Sequence, residues 1–573
     1  MQKRIPVGVC NYEKVMMDGY LFVDKTMFIE RLEQFDNTNL LFLRPRKFGK
    51  SLFANILEYY YDINHKDKFE ELFGEFYIGK SPTKLKNTYL TISFDFSGIS
   101  TDNKDLFYKS FFEKVQRKIE YFFSRNKEIL GNIEIDNVET VGGVLSELIS
   151  KVKEKGKKLY VIIDEYDQFA NDLMAMDKGA TYKESIQAQG FVRDFYENLK
   201  EGTKTVIDRI FITGVSPVML DDLTSGFNIA TNISTVTKFN EMMGFTEEEV
   251  TEMMKQFDFI GGYTDKELLE ELKKNYNGYK FSKKAKKTVY NSNMLLDFFS
   301  RWKEEGLYPE NMVDKNAGMD RNRLKMLIRQ EETKEIIKQI IKDGQISGTL
   351  EDRVQFEDMY KPEKFVTLLF YLGLITIKDE ARGRLYFKIP NYVSQVVYWE
   401  YLREEEFTKQ NIKIKNDQIA DAVEKMAYDG EIDEFVKVVK EELYDVLSNR
   451  DLLYFEEIDL KLVVIMAMIK NRIYQIRSEM ENSKSYSDLV FTRTGSIRDS
   501  AKYDWVIELK YIKKKEFEKD PNIRNKKIEE ARAQITKQQN SRELKERDDV
   551  KYAIILFETG KDAYVEEIDI NAK

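Results

Sequence analysis

The sequence predicts an α/β protein made of several domains. Short apolar runs such as Leu159–Ile163 and Arg209–Thr213 alternate with longer stretches of helical periodicity, the pattern of a parallel sheet covered on both faces. A chain of 573 residues is too long for one core, so two to four domains are expected. Hydrophobic residues at 42% and aromatics at 13% are enough to fill several cores.

Asn39–Leu43 is a short apolar run that ends at Arg44-Pro45 and reads as a buried strand. From Ser51 to Tyr61 the spacing of Leu52, Ile56, Leu57 and Tyr60 predicts a helix. Tyr89–Phe96 is predicted as a strand, Asp105–Arg125 and Val141–Lys155 as helices. Leu159–Ile163 is a strand ending in Asp164-Glu165, and Arg209–Thr213 a strand ending in Gly214. The region from about Phe245 to Ile340 is mostly helical. Phe365–Ile377 followed by Arg384–Asn391 reads as a helix with a two-stranded wing, a winged-helix-like unit. A helical stretch from about Tyr392 to Arg450 leads into a last α/β block.

Composition narrows the chemistry. A formal net charge of −9 argues against a general nucleic-acid coat protein, and leaves room for a local basic groove. Cys10 is the only cysteine, which excludes an internal disulfide and a thiolate zinc cluster and suits a reducing cytosol. His65 is the only histidine, which excludes a histidine dyad or a multi-histidine metal site. Hydrolysis would then rest on carboxylates, lysines and hard divalent metals. Neither a signal peptide nor a membrane span is expected, and the expected location is cytoplasmic.

Between the first strand and helix, Arg44-Pro45-Arg46-Lys47-Phe48-Gly49-Lys50-Ser51 reads as a phosphate-binding loop. Amides at the helix N-terminus would cradle phosphate oxygens, Lys50 would reach the β- and γ-phosphates, and Ser51 would hold Mg2+. Arg44 stands where the motif usually has its first glycine. Asp164, at a strand end, could hold Mg2+ through water, and Glu165 could orient or deprotonate the attacking water. The alternative is a core strand capped by two solvated acids. Thr213 or Ser216 could sense the γ-phosphate, or could mark an ordinary strand-to-turn transition. The candidate ATP ligands are Arg46, Phe48, Gly49, Lys50, Ser51, Asp164 and Thr213, with Ser51 and Asp164 on Mg2+ and Glu165 catalytic. Arg193 and Arg209 lie near these elements in sequence, and neither is assigned as an arginine finger.

The chain resembles the AAA-ATPase-like proteins fused to a PD-(D/E)XK nuclease-like domain. The matching stretches are Ile5–Gly8, Tyr20–Thr26, Arg44–Ser51, Ile163–Asp167, Thr213–Pro217, Ser225–Asn228 and Tyr276–Tyr279. The resemblance covers nearly the whole chain and includes Arg44 as a family variant. It implies a P-loop NTPase sheet of the AAA/STAND-like kind. It also suggests that Phe22–Lys25 lies against adenine; the alternative is that Phe22 and Val23 are core residues.

Near the C-terminus, Asp488 lies in Ser487–Phe491, and Glu508 and Lys510 lie in Asp504–Lys510. In a strand Glu508 and Lys510 share one face and Leu509 takes the other. An acid beside Glu-x-Lys can hold one or two Mg2+, with the lysine positioning or activating water; the alternative is a surface ion pair. Glu479, read at the end of a predicted helix, is a further possible ligand. A helix from Lys526 to about Glu543 and a strand at Tyr552–Phe557 follow. The resemblance places Asp488, Glu508 and Lys510 on the nuclease active-site pattern, with Asp488 and Glu508 as metal ligands. It puts Gln534 at a supporting glutamine. Tyr486-Ser487 replaces the Gly-Arg that relatives often carry. Lys513, Lys514, Lys515, Lys519, Arg524, Lys526 and Lys527 could contact phosphates, but the interspersed acids favour a solvated segment.

The expected division is 1–240, a P-loop AAA-like ATPase domain; 241–330, a helical lid; 331–400, the winged-helix-like unit; 401–453, a helical connector; and 454–573, the nuclease-like domain. The expected function is an ATPase coupled to a Mg2+-dependent nuclease acting on DNA or RNA, in defence against foreign nucleic acid by fold analogy. The alternative is a nucleotide-dependent switch that binds a protein or nucleic-acid partner without cutting it. Oligomeric state is left open.

Overall fold

A computed structural model describes residues 3–135, 138–175, 179–186, 190–218, 228–257, 264–305, 308–309, 321–322, 324–325, 327–328, 330–359, 361–410, 415–445, 457–482, 485–498, 500–539, 549–558 and 563–569. For residues 174–175, 179, 356, 406–410, 478–482, 485–488 and 539 it describes the backbone alone. The chain forms two compact units, Met1–Lys303 with Asn322–Ser394, and Glu304–Arg321 with Gln395–Lys573.

The first unit is built on a parallel sheet of five strands: β1 (Asn39–Leu43), β2 (Leu90–Asp95), β3 (Leu159–Asp164), β4 (Ile207–Gly214) and β5 (Thr231–Asn232), in the order β2-β3-β4-β1-β5. All six residues of β3 are buried, as a strand covered on both faces requires. The helix Lys50–Tyr61 packs on β2, β3 and β4. Phe94, Phe96, Phe107, Phe111, Phe169 and Phe195 form an aromatic core where the helix Lys104–Arg125 meets the sheet.

The same unit continues through the helices Glu247–Met254, Asp265–Tyr276, Ser292–Glu305 as far as Lys303, and Glu331–Asp343. The helix Pro362–Tyr371 starts with proline at its first turn, where a missing N–H costs nothing. A small sheet of β6 (Ile346–Gly348), β7 (Thr376–Ala381) and β8 (Arg384–Lys388) is ordered β6-β8-β7, and β7 and β8 form a hairpin.

In the second unit the helices Asn416–Tyr428, Asp433–Val439 and Glu457–Met468 accompany a mixed sheet. Its strands are β9 (Tyr474–Asn482), β10 (Ser485–Arg493), β11 (Asp504–Ile512), β12 (Val550–Glu558) and β13 (Tyr564–Ile568), in the order β13-β12-β11-β10-β9. β11 and β12 are parallel and the other neighbours antiparallel. The helix Ile523–Gln539 joins β11 to β12, and its Ala531 and Ile535 pack on Val490, Val506, Tyr552 and Ile554. One expectation is corrected. Glu479 lies in β9, a strand, and not on a helix, because the residues on both sides of it pair with β10. Ladder bonding to a partner outranks the helical propensity of a glutamate-rich segment.

Among the described residues, no helix is long and apolar enough to cross a membrane.

Candidate functional site

β4 lies between β1 and β3, so the loops after Leu43, Asp164 and Gly214 leave the sheet at the same edge. The loop after β1 enters the helix Lys50–Tyr61 through Lys47 (φ 71°) and Gly49 (φ 92°), both in the left-handed region. Gly49 is the N-cap and offers no side chain to the first turn. The first-turn amides therefore form a seat suited to an anion.

Lys50 is only 4% exposed. It donates to the Pro45 carbonyl at 3.2 Å and lies 3.8 Å from Glu165 Oε1. Burial pushes the Asp164 carboxyl up to about 6; the neighbouring Ser51 hydroxyl opposes that rise, and Glu165 adds to it. Glu165 itself takes a left-handed conformation (φ 51°). Two side-chain oxygens here, Glu165 Oε2 and Thr213 Oγ1, are buried without a hydrogen-bond partner. Such atoms are costly unless a ligand or water meets them. Lys50, Ser51, Asp164, Glu165 and Thr213 thus gather at one place. Hard carboxylate and hydroxyl oxygens at Asp164 and Ser51 fit Mg2+.

Arg46 donates to Gln168 Oε1 at 2.9 Å. The Phe48 ring is 1% exposed and stands edge-on to Tyr279 and Phe281, with centroids 4.9 and 5.5 Å away, so its side chain serves packing. Arg44 turns inward. Its guanidinium donates to the carbonyls of Leu43, Ser234 and Phe239 at 2.8–2.9 Å and lies between the rings of Phe42 and Phe281. Phe22 packs on Tyr12 and Phe76, and Lys25 pairs with Glu249 at 2.7 Å. Arg193 pairs with Glu197 at 2.8 Å on its own helix. Arg209 sits near the start of β4, at the opposite end of the strand from Thr213. Of the motif stretch 225–228, residues 225–227 lie outside the described residues.

A residue given no role from the sequence links these loops. Asp167 is fully buried and accepts from Val215 N (3.0 Å), Ser216 N (2.7 Å), Ser216 Oγ (2.9 Å) and Asn171 Nδ2 (2.9 Å). It latches the turn that carries Glu165 to the turn beyond Thr213. Gly214 is held to glycine by this latch, because a Cβ there would lie 2.3 Å from Asp167 Oδ1.

Asp164→Asn is expected to stabilise the chain at pH 7.5 and to change little below about pH 3.8. A carboxyl raised from 3.8 to about 6 binds more protons folded than unfolded between those values. Its contribution therefore favours folding at low pH and is lost as pH rises through about 6, an effect of up to about 3 kcal/mol. Thermal melting of both proteins across this range measures it; a difference in Tm that does not vary with pH would contradict the assignment.

The second site lies on β11. Glu508 and Lys510 are 1% and 6% exposed. Lys510 Nζ lies 3.2 Å from Glu508 Oε1 and 3.4 Å from Glu457 Oε1. Glu457 Oε2 also accepts from Tyr511 N at 3.2 Å. Gln538 Nε2 donates to Glu508 Oε2 at 3.4 Å. Gln538, one helical turn beyond Gln534, thus reaches Glu508. Asp488 lies on β10 next to Leu489, which pairs with Ile507, the neighbour of Glu508; its side chain lies outside the described residues. Among the described residues no three His, Cys, Asp or Glu side chains converge as a metal site. In the basic segment after β11, Lys526 pairs with Asp520 (2.6 Å), Lys527 with Glu516 (3.5 Å) and Arg524 with Glu558 (3.2 Å). Glu457 and Gln538 escaped the sequence reading because neither belongs to the Glu-x-Lys spacing.

Residues 6–224 match the family described as predicted AAA-ATPase, and residues 461–567 match the PD-(D/E)XK nuclease superfamily. The chain therefore carries an AAA-ATPase-like domain and a PD-(D/E)XK nuclease-like domain. An uncharacterized protein in the vnfD 5′ region of Azotobacter chroococcum mcd 1 is 28% identical over 325 residues, 55% of this chain and 56% of that one. The chain thus spans little more than half the length of that curated relative. The crystal structure of Cdc6p from Pyrobaculum aerophilum overlaps at 11% identity and a TM-score of 0.28, covering 69% of this chain and 98% of that one. The ORC2 protein of Aeropyrum pernix overlaps at 10% identity and a TM-score of 0.31, covering 70% and 98%. Overlaps this loose add nothing to what the sheet order shows.

Proposed function

We propose that the first unit binds ATP with Mg2+ and hydrolyses it, and that the second is a Mg2+-dependent nuclease acting on DNA or RNA. The observation that carries the ATP reading is the meeting of Lys50, Ser51 and Asp164 with the partnerless oxygens of Glu165 and Thr213. Lys50 would bind the β- and γ-phosphates, and the first-turn amides after Gly49 would hold the phosphate chain. Ser51 and Asp164 would hold Mg2+, which supplies charge neutralisation at the phosphates. Glu165 would take the proton of the attacking water, and the Thr213 hydroxyl would donate to the γ-phosphate. In the second unit Asp488 and Glu508 would hold the metal, and Lys510 would orient the attacking water. The domain division proposed is 1–240, 241–330, 331–400 as a winged-helix-like unit, 401–453 and 454–573. A cytoplasmic role in defence against foreign nucleic acid extends this reading by fold analogy.

Lys50→Ala should abolish nucleotide binding in a fluorescent-ATP titration. Glu165→Gln should keep binding and slow phosphate release by about 10²- to 10⁴-fold. Wild-type turnover in Glu165→Gln would remove its catalytic role; wild-type protein that binds no nucleotide would sink the ATP reading.

One observation favours a switch as the second reading. The turn beyond Thr213 runs to Val218, which forms a parallel bridge with Val354, and Val354 N donates to the Pro217 carbonyl at 3.3 Å. Gly373, after the helix Pro362–Tyr371, has φ 77°, and a Cβ there would lie 2.7 Å from Pro45. The nucleotide loops therefore touch the β6–β8 segment twice. Turnover too slow to cycle, with nucleotide-dependent protease protection of that segment, would favour the switch.

A further inference from the structure

Two stretches far apart in sequence form one basic surface on the first unit. Lys280–Lys287 carries five lysines and no acid. Lys378–Lys388 carries Lys378, Arg382, Arg384 and Lys388 against Asp379 and Glu380. Nine cations thus meet two acids in a chain whose net charge is −9.

Hydrogen bonds bring the stretches together. Ile377 N donates to the Lys280 carbonyl at 3.4 Å, and Lys280 N donates to Thr376 Oγ1 at 2.7 Å. Thr376 in turn pairs with Lys388 across the hairpin. Burial first, and then the charges of Lys378 and Lys280, hold the Lys388 ammonium below the usual lysine range. Some of the charge is already met: Lys283 pairs with Glu380 at 3.0 Å, Lys287 with Glu248 at 2.7 Å, and Lys378 donates to Gln345 at 2.7 Å. Lys280, Lys284, Lys286, Arg382, Arg384 and Lys388 have no ion-pair partner among the described residues. Lys284, Lys286, Arg382 and Arg384 are exposed.

The hairpin tip adds a second observation. Ala381 pairs with Arg384, so Arg382 and Gly383 are the whole turn, with φ of 51° and 76°. A two-residue turn with both φ positive favours Asn or Gly at its first position. The chain carries an arginine there, between the strand ends and next to Arg384. Like charges gathered in excess of acids destabilise each other unless an anion is shared. Cations spread along a loop and a hairpin match a repeating line of phosphates better than one small anion.

We propose that this surface, Lys280–Lys287 with the β7–β8 hairpin, binds the phosphodiester backbone of nucleic acid without reading its sequence. It rests on the nucleic-acid half of the proposed function, and not on cleavage.

The test uses the full chain with Glu508→Gln, so that bound strands stay intact. Anisotropy titrations with labelled random-sequence DNA duplex and with RNA are run from about 0.05 to 0.3 M salt. Adding Lys284→Gln, Lys286→Gln, Arg382→Gln and Arg384→Gln should raise Kd at least about tenfold and lower the salt slope by about three. The single exposed change Arg384→Glu should raise Kd several-fold and guards against misfolding of the combined variant. Neutralising Lys109, Lys153, Lys155 and Lys157, exposed elsewhere on this unit, should leave Kd unchanged. Three results would overturn the proposal: no binding to either nucleic acid, equal affinity in the surface and control variants, or surface-dependent binding only to anionic vesicles or an acidic peptide. Surface-dependent binding by a wild-type chain that never cleaves would sink the nuclease reading and leave this one standing.

Discussion

Arg44→Gly, which would restore the usual first glycine of the loop, is expected to destabilise the first unit by about 4 kcal/mol and to weaken ATP binding. Arg44 is 1% exposed, and its guanidinium serves three backbone carbonyls between two aromatic rings. Burial pulls its pKa well below the usual arginine value. The carbonyl oxygens and ring faces are what make a charge tolerable there. Glycine would strip the donors from Leu43, Ser234 and Phe239, open a cavity beneath the loop and free the backbone just before Pro45. Arg44→Met keeps most of the volume and loses the donors, so the two variants separate cavity from hydrogen bonding. Urea unfolding measures the loss. A change under about 1 kcal/mol in Arg44→Gly would mean that the buried guanidinium is not what holds the loop.

Glu508→Gln is expected to lower metal-dependent strand cleavage by roughly 10³-fold or more with little change in shape. Its carboxylate contacts Lys510 at 3.2 Å and Gln538 at 3.4 Å, so glutamine fills the same space without the charge. The loss should therefore appear in the chemical step and in Mn2+ affinity. Gln538→Ala should cost about tenfold, since it orients Glu508 rather than replacing it. Single-turnover cleavage of labelled DNA and RNA with Mg2+ or Mn2+, alongside Mn2+ calorimetry and melting curves, separates these effects. Cleavage in Glu508→Gln equal to wild type would mean a contaminant or another site. Wild type inert on both nucleic acids, with and without ATP, would end the nuclease reading.

Much of the fold could be read along the chain. β1 and β3 are largely apolar runs bounded by loop residues, β4 carries the apolar run Ile210–Ile212, and the helix after Lys50 shows its face in the spacing of Ile56, Leu57 and Tyr60. β9 was harder, because Glu479 and its neighbours carry no clear period and the strand exists by pairing with β10. The contact of Gln538 with Glu508 was not legible for a related reason. Gln534 and Gln538 are four apart on one helix, so periodicity puts them on the same face, and only the crossing of that helix over β11 decides which one reaches the carboxylate.

What the sequence determined by itself was local chemistry: a strand, a glycine-lysine-serine turn and a helix; two acids at a strand end; a Glu-x-Lys pair sharing one strand face. Each depends on residues a few positions apart, where backbone geometry alone sets direction. Tertiary structure decided the rest. It turned Arg44 into the core, bound Asp167 to Ser216, set Glu457 and Gln538 around Lys510 and Glu508, and joined Lys280 to a hairpin almost a hundred residues on. Those contacts join residues that are remote in sequence. Burial and hydrogen-bond satisfaction select them only once the whole unit has packed.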